Sequence, residues 1–296
     1  MPSLKEIRTR IASVRSTRKI TDAMKMVAAS RLRRVQNHIV HLRQYASMLK
    51  DILNDMMHHV PFSGYSVYMK ERDTKDVLLV CIGSNRGLCG TYNTFLIKRT
   101  LSELYALREE GYEVKLMAIG KKIERFFAKR EFELIASGHH ILEKADYETA
   151  QGFAEQIMDL YLKHNLQRVI IVYNRFKNAV VHELTTEQVL PVPGESMVLD
   201  EEAYEGFADD FPLILEPNQG DAVDYMTRQY IYYNHFRILL EATASENGSR
   251  MTAMHKATDN ADEMLKSLTL LYNKARQASV TRELMDIVGG SAHTGN

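Results

Sequence analysis

Three glycines mark the segment of this chain whose residue types come nearest to a chemical site. Gly83, Gly87 and Gly90 lie in Gly83-Ser84-Asn85-Arg86-Gly87-Leu88-Cys89-Gly90, directly after a continuous apolar run. A glycine turn behind a buried strand is where nucleotide-binding sheets hold phosphate. The spacing does not fit that use. A dinucleotide loop needs G-x-G-x-x-G, and a phosphate loop needs G-x-x-x-x-G-K-[ST]; neither occurs here. Arg86 reads as a surface contact rather than a phosphate clamp. The histidine pairs His58-His59 and His139-His140, and His38 with His41 at helical spacing, have no carboxylate set converging on them in sequence. They read as solvated or capping side chains. The two cysteines, Cys81 and Cys89, match no zinc or redox spacing and make no disulfide framework. Cys81 reads as a buried strand residue and Cys89 as a small residue in a turn. No Ser-His-Asp or paired-carboxylate arrangement stands out, so no catalytic site, metal or cofactor is expected.

The elements that carry this segment alternate. Residues 77–82, 113–119, 132–135 and 169–173 read as strands, with 77–82 and 169–173 continuous apolar runs as if covered on both faces. Stretches 92–110, 121–128 and 147–164 read as helices between them. Strands alternating with helices imply a mainly parallel sheet with crossover helices. Residues 180–192 alternate more and read as an edge strand, closed by Pro191, Pro193 and Gly194.

Both chain ends are helical instead. Met251, Met254, Thr258, Ala261, Leu265, Leu268, Tyr272, Ala275 and Ser279 follow steps of three and four, the seam of a coiled coil. The same register extends back to Val223, with Arg237 and Asn247 interrupting it. From about Asp221 to a stop at Gly289-Gly290 this helix spans roughly 65–70 residues, near 100 Å. Gly248 sits inside it, at a cost of about 1 kcal/mol against alanine. At the other end Ser3-Leu4-Lys5-Glu6 fits a capping box. A seam then opens with Ile7, Ile11 and Val14 and resumes from Ala28 through Met56. Between them the nominal positions hold Arg18, Thr21 and Lys25, while Ile20, Met24 and Val27 form a neighbouring stripe. Either the seam shifts there because this part faces something besides its partner helix, or the coiled coil has a local stutter.

The formal net charge is zero, so overall charge points to neither nucleic acid nor membrane. Its distribution is uneven. The first fifty residues are basic, and residues 195–224 are acidic with no Lys or Arg. Without aromatic interleaving or a recognised binding motif, nucleic acid is not the expected partner. No apolar stretch reaches the ~18–20 residues of a membrane span. The capped helix follows the first residues at once, so no signal or transit segment is expected.

Lys19-Ile20-Thr21-Asp22-Ala23-Met24-Lys25-Met26-Val27-Ala28-Ala29-Ser30 resembles the N-terminal signature of the gamma subunit of rotary ATP synthases. So do Ala257-Thr258-Asp259-Asn260-Ala261, Leu271-Tyr272-Asn273-Lys274-Ala275-Arg276-Gln277-Ala278-Ser279, Ile287-Val288-Gly289-Gly290 and the central Ser84–Gly90 segment. The motifs stand in the family's order and span essentially the whole chain.

That resemblance implies an α/β fold in which a Rossmann-like domain is inserted into a long antiparallel coiled coil of the chain ends. The coiled-coil helices would be 1–60 and 219–290, the α/β domain 74–195 and an acidic connector 196–218. It implies a non-catalytic rotor shaft that threads three alpha and three beta subunits, sits on a ring of c subunits and binds an epsilon subunit. Such a shaft is peripheral to the cytoplasmic face of the bacterial inner membrane. Contacts with the alpha and beta sleeve carry over to Lys19, Ile20, Met24, Arg86, Arg250, Gln277 and Thr281. For Met24 a place in the coiled-coil core is the alternative. The c-ring contact carries over to Leu213, Ile214 and Leu215, where family members often have aromatic residues before the Glu-Pro. Taken without the resemblance, the same elements also suit an α/β enzyme whose terminal helices serve oligomerisation.

Overall fold

A computed structural model describes residues 3–59, 66–130, 132, 134–179, 181–192 and 215–293. The elements in chain order are α1 (Leu4–His59), β1 (Asp76–Ile82), α2 (Tyr92–Glu109), β2 (Glu113–Ile119), α3 (Lys121–Ala128), β3 (Leu134–Ser137), α4 (Tyr147–Lys163), β4 (Arg168–Phe176), β5 (His182–Leu190) and α5 (Gln219–His293). The chain divides into two compact units, Met1–Ala29 with Arg250–Asn296, and Ser30–Ser249. The helices α1 and α5 each contribute residues to both.

The first unit is an antiparallel helix pair. Arg8 donates to the Tyr272 hydroxyl at 2.9 Å, Arg18 meets Asp262 at 2.5 Å, and the Thr21 and Thr258 hydroxyls lie together, so numbers rise along α1 as they fall along α5. The covered positions follow one register without a break. Ile7, Ile11, Val14, Arg18, Thr21, Lys25 and Ala28 are buried or half-buried, and so are Met254, Thr258, Ala261, Leu265, Leu268, Tyr272, Ala275 and Ser279. The seam therefore does not shift at Arg18, Thr21 and Lys25. The methylene stems of Arg and Lys and the methyl of Thr cover it as aliphatic residues would, while their polar ends are paired.

The start of α1 forms the expected capping box. Glu6 Oε2 accepts from the Ser3 amide at 2.9 Å, and Ser3 Oγ accepts from the Glu6 amide at 3.2 Å. At the other end α5 does not stop at Gly289-Gly290 but runs on to His293. Glycine permits a left-handed closing residue without requiring it, and a right-handed continuation costs only about 1 kcal/mol per glycine.

The second unit is built on a five-stranded sheet of order β3-β2-β1-β4-β5. Pairs β1–β2, β1–β4 and β2–β3 are parallel, and β5 closes the edge antiparallel to β4. Alternate residues of β1 face opposite cores, as the two-residue period requires. Leu78, Val80 and Ile82 pack with Phe153 and Ile157 of α4, Leu239 and Ala242 of α5 and Leu53 of α1. Val77, Leu79 and Cys81 pack with Leu96 and Leu104 of α2 and Phe127 of α3. Burial on both faces accounts for the uninterrupted apolar run of this strand. It also pushes the Cys81 thiol up to about 12.

Candidate interaction surfaces

The glycine loop after β1 is folded on itself. The Asn93 side chain accepts from the Ser84 amide at 3.1 Å and donates to Ser84 Oγ at 2.8 Å. The Lys121 amide donates to Asn85 Oδ1 at 3.1 Å, and the Lys122 amide to the Ser84 carbonyl at 3.1 Å. Amides at the start of α3 that a phosphate would use are thus satisfied by the loop itself. Gly83 serves packing, since a Cβ there would stand 2.1 Å from Cγ1 of Ile123. Gly90 has a φ of 61°, a left-handed conformation that suits glycine. Cys89 is buried, as a small turn residue should be. Among the described residues, no group of three or more His, Cys, Asp or Glu is placed to hold a metal ion.

In the first unit the polar seam leaves an apolar stripe outside it. Ile20 is 57 % exposed and Val27 55 %, and Met26 between them is exposed as well. Lys19 is exposed and Met24 half-buried. Gln277 and Thr281 are exposed one turn apart, with the Thr281 hydroxyl donating to the Gln277 carbonyl at 2.9 Å. These groups do not form one cluster. The antiparallel register sets Lys19 level with about residue 261, some sixteen residues or about 24 Å along α5 from Gln277. Arg250 is only 9 % exposed, whereas the resemblance casts it as a surface contact. Arg86 is exposed in the glycine loop of the second unit. Leu213 and Ile214 lie outside the described residues, and Leu215 packs half-buried against the α4/α5-side core.

One polar cluster of the second unit has no counterpart in the sequence reading. Arg237 of α5 reaches Glu187 of β5 at 2.5 Å, the Tyr173 hydroxyl at 3.0 Å, Asn234 Oδ1 at 2.7 Å and Glu241 at 3.5 Å. Tyr173 donates to the other Glu187 oxygen at 2.7 Å. Burial works against the charge of Arg237, but Glu187, Tyr173 and Glu241 outweigh it and hold the guanidinium above its ordinary pKa. Burial alone would raise the Glu187 carboxyl; Arg237 overrides it and lowers the pKa. The available signal was the interruption of the α5 register at Arg237, which does not name its partner fifty residues earlier.

A family model described as ATP synthase matches residues 3–293. An ATP synthase gamma chain of Cytophaga hutchinsonii is 39% identical over 299 residues, covering the whole of both chains. The chain belongs to the ATP synthase gamma family. A Geobacter gamma chain is 40% identical over 293 residues, covering 98% of each. Among solved structures, a chain of the Tetrahymena thermophila mitochondrial ATP synthase, central stalk and c-ring, is 25% identical with a TM-score of 0.57, covering 80% of this chain and 99% of that one. A chain of the Euglena gracilis mitochondrial ATP synthase shares the fold at 19% identity and a TM-score of 0.66, covering 98% of this chain and 94% of that one. Like its relatives, this gamma-family chain combines terminal helices with a central, mainly parallel sheet. Among its described residues no helix is long and apolar enough to cross a membrane.

Proposed function

We propose that this chain is the non-catalytic central shaft of a proton-coupled rotary ATP synthase. Its first unit turns inside a sleeve of three alpha and three beta subunits, which hold the catalytic chemistry. Its second unit meets the c-subunit ring and an epsilon subunit, so the chain lies at the cytoplasmic face of the inner membrane without entering it. Proton flow turns the ring and the shaft, and the unequal faces of the shaft meet the beta subunits in sequence. Lys19, Ile20, Met24, Arg86, Arg250, Gln277 and Thr281 are proposed as sleeve contacts, and Leu213, Ile214 and Leu215 as the c-ring contact.

The observation that carries this reading is the self-sufficient seam of the first unit. Polar pairs at Arg18–Asp262 and Thr21–Thr258 hold the two helices in register, which leaves Ile20 and Val27 free to meet another surface. A shaft needs that division between internal stiffness and outer contact, and a basic α1 attracts an acidic sleeve without locking to it. Reconstitution tests it. The chain is mixed with alpha and beta subunits, rejoined to membranes carrying the c ring, and protons moved per ATP hydrolysed are counted. Assembly with coupled pumping is expected. Met24→Lys should keep hydrolysis while lowering the proton count. Failure to assemble, or turnover by the chain alone, would overturn the reading.

A further inference from the structure

The second unit contains a cavity of about 310 Å³ that the shaft reading does not use. Ser47 and Lys50 of α1, Arg175 of β4, Glu187 of β5, and Tyr230 and Arg237 of α5 line it. Its volume is at the lower end of small-molecule pockets, about 300–1,000 Å³.

The floor is closed to a ligand by its own hydrogen bonds. The five N–H groups of Arg237 are taken up by Asn234, Tyr173, Glu241 and Glu187. Both Glu187 oxygens are engaged, one by Arg237 and Asn234 and the other by Tyr173. The groups left facing the cavity are donors. Lys50 has no ion-pair partner among the described residues, and Arg175 meets only Glu241, at 3.7 Å. The Tyr230 hydroxyl has no hydrogen-bond partner among them either, and Ser47 adds a second hydroxyl. Three cations stand against Glu187 and the buried Glu241, which leaves one positive charge uncompensated.

We propose that this cavity binds a phosphate dianion, either inorganic phosphate or the head of a small phosphomonoester. A planar guanidinium can take two oxygens of one phosphate side by side, and an ammonium supplies a point charge to a third. The Tyr230 hydroxyl completes the donor set. An occupant would bridge α1, β4 and α5, three elements remote in sequence. The proposal stands apart from the shaft reading, because it concerns binding by the isolated chain.

Equilibrium dialysis of the full chain tests it, with inorganic phosphate in one arm and glycerol 3-phosphate in another, at ionic strength fixed by chloride. Saturable binding of one anion per chain is expected in at least one arm. Lys50→Gln and Arg175→Gln should each weaken it ten-fold or more, and Lys98→Gln on the exposed face of α2 should leave it unchanged. Tyr230→Phe, which removes one hydroxyl only, should weaken it less and serves if a charge variant fails to fold. Binding that never saturates, that falls equally with Lys98→Gln, or that survives both charge variants and Tyr230→Phe overturns the site.

Discussion

The Thr21 and Thr258 hydroxyls lie 2.8 Å apart inside the seam of the helix pair, one from each chain end. Each also lies within reach of a carbonyl on its own helix, Arg18 at 3.0 Å and Met254 at 2.9 Å. Valine has the same shape without the oxygen, so exchanging one threonine strands its partner only partly. Thr21→Val or Thr258→Val should each cost on the order of 1 kcal/mol. The double variant should cost less than the sum, and a double-mutant cycle by denaturant unfolding measures that difference. Strict additivity would show that the two hydroxyls do not interact.

Arg237 and Glu187 make a stronger case of the same asymmetry. Arg237→Met leaves Glu187 largely buried without its counter-charge, a loss of about 3–5 kcal/mol. Replacing both partners with methionine should recover part of that loss, since the buried Glu241 still lacks Arg237. The pH dependence has a fixed sign. The Glu187 carboxyl is held below its ordinary pKa in the fold, so its contribution is present above that ordinary value. It is lost as pH falls through the lower folded value. Melting curves of wild type and the double variant should therefore converge on acidification.

His235 gives a second pH signature, in a different window. The ring is fully buried, with Nδ1 2.7 Å from the Ile231 carbonyl and the Phe153 ring packed edge-to-face with it at 5.5 Å between centroids. Burial lowers its pKa to about 4. The unfolded chain then binds a proton that the folded chain refuses, and stability falls as pH drops from the ordinary histidine value toward 4. The slope should approach about 1.4 kcal/mol per pH unit. His235→Leu should flatten the stability profile between pH ~6.5 and ~4, and an unchanged profile would place the titration elsewhere.

Gly248 looks like a defect in a long helix until its neighbours are counted. A Cβ there would stand 2.9 Å from His182 Cε1 and 3.0 Å from the Ala179 carbonyl, so the glycine lets the turn after β4 close against α5. Gly248→Ala should destabilise by roughly 1–3 kcal/mol despite the better helix propensity of alanine. Adding His182→Ala should return only part of the loss, because the Ala179 carbonyl belongs to the backbone. Thermal melts of the three chains decide it; a more stable Gly248→Ala chain would show that the approach is loose.

What the sequence made legible was local. The capping box at Ser3 and Glu6, the alternation that marks β5 as an edge, and the seam from Met254 to Ser279 all follow from spacing along one segment. Polar residues in the seam misled because hydropathy scores Arg18 and Lys25 by their charged ends, whereas their stems do the covering. The partners of Arg237 and Gly248 were not legible at all. Glu187 and His182 reach them only after the sheet has folded, and no spacing rule connects a strand residue with a helix residue fifty or more positions away. The glycine loop was readable as a poor phosphate site, but the use of Asn93 to close it was not.

The register of the helix pair also fixes where support ends. Leu4, the first residue of α1, stands level with about residue 276 of α5, yet α5 continues to His293. Among the described residues, roughly the last four to five turns therefore have no companion helix, and Val280, Leu284 and Met285 there stay exposed. A solitary helix of that length is marginal in water, since few bonds offset the cost of its first turn. Its amides should exchange with deuterium quickly in the isolated chain and far more slowly once a partner encloses it. The tip then acquires its order from assembly rather than from folding.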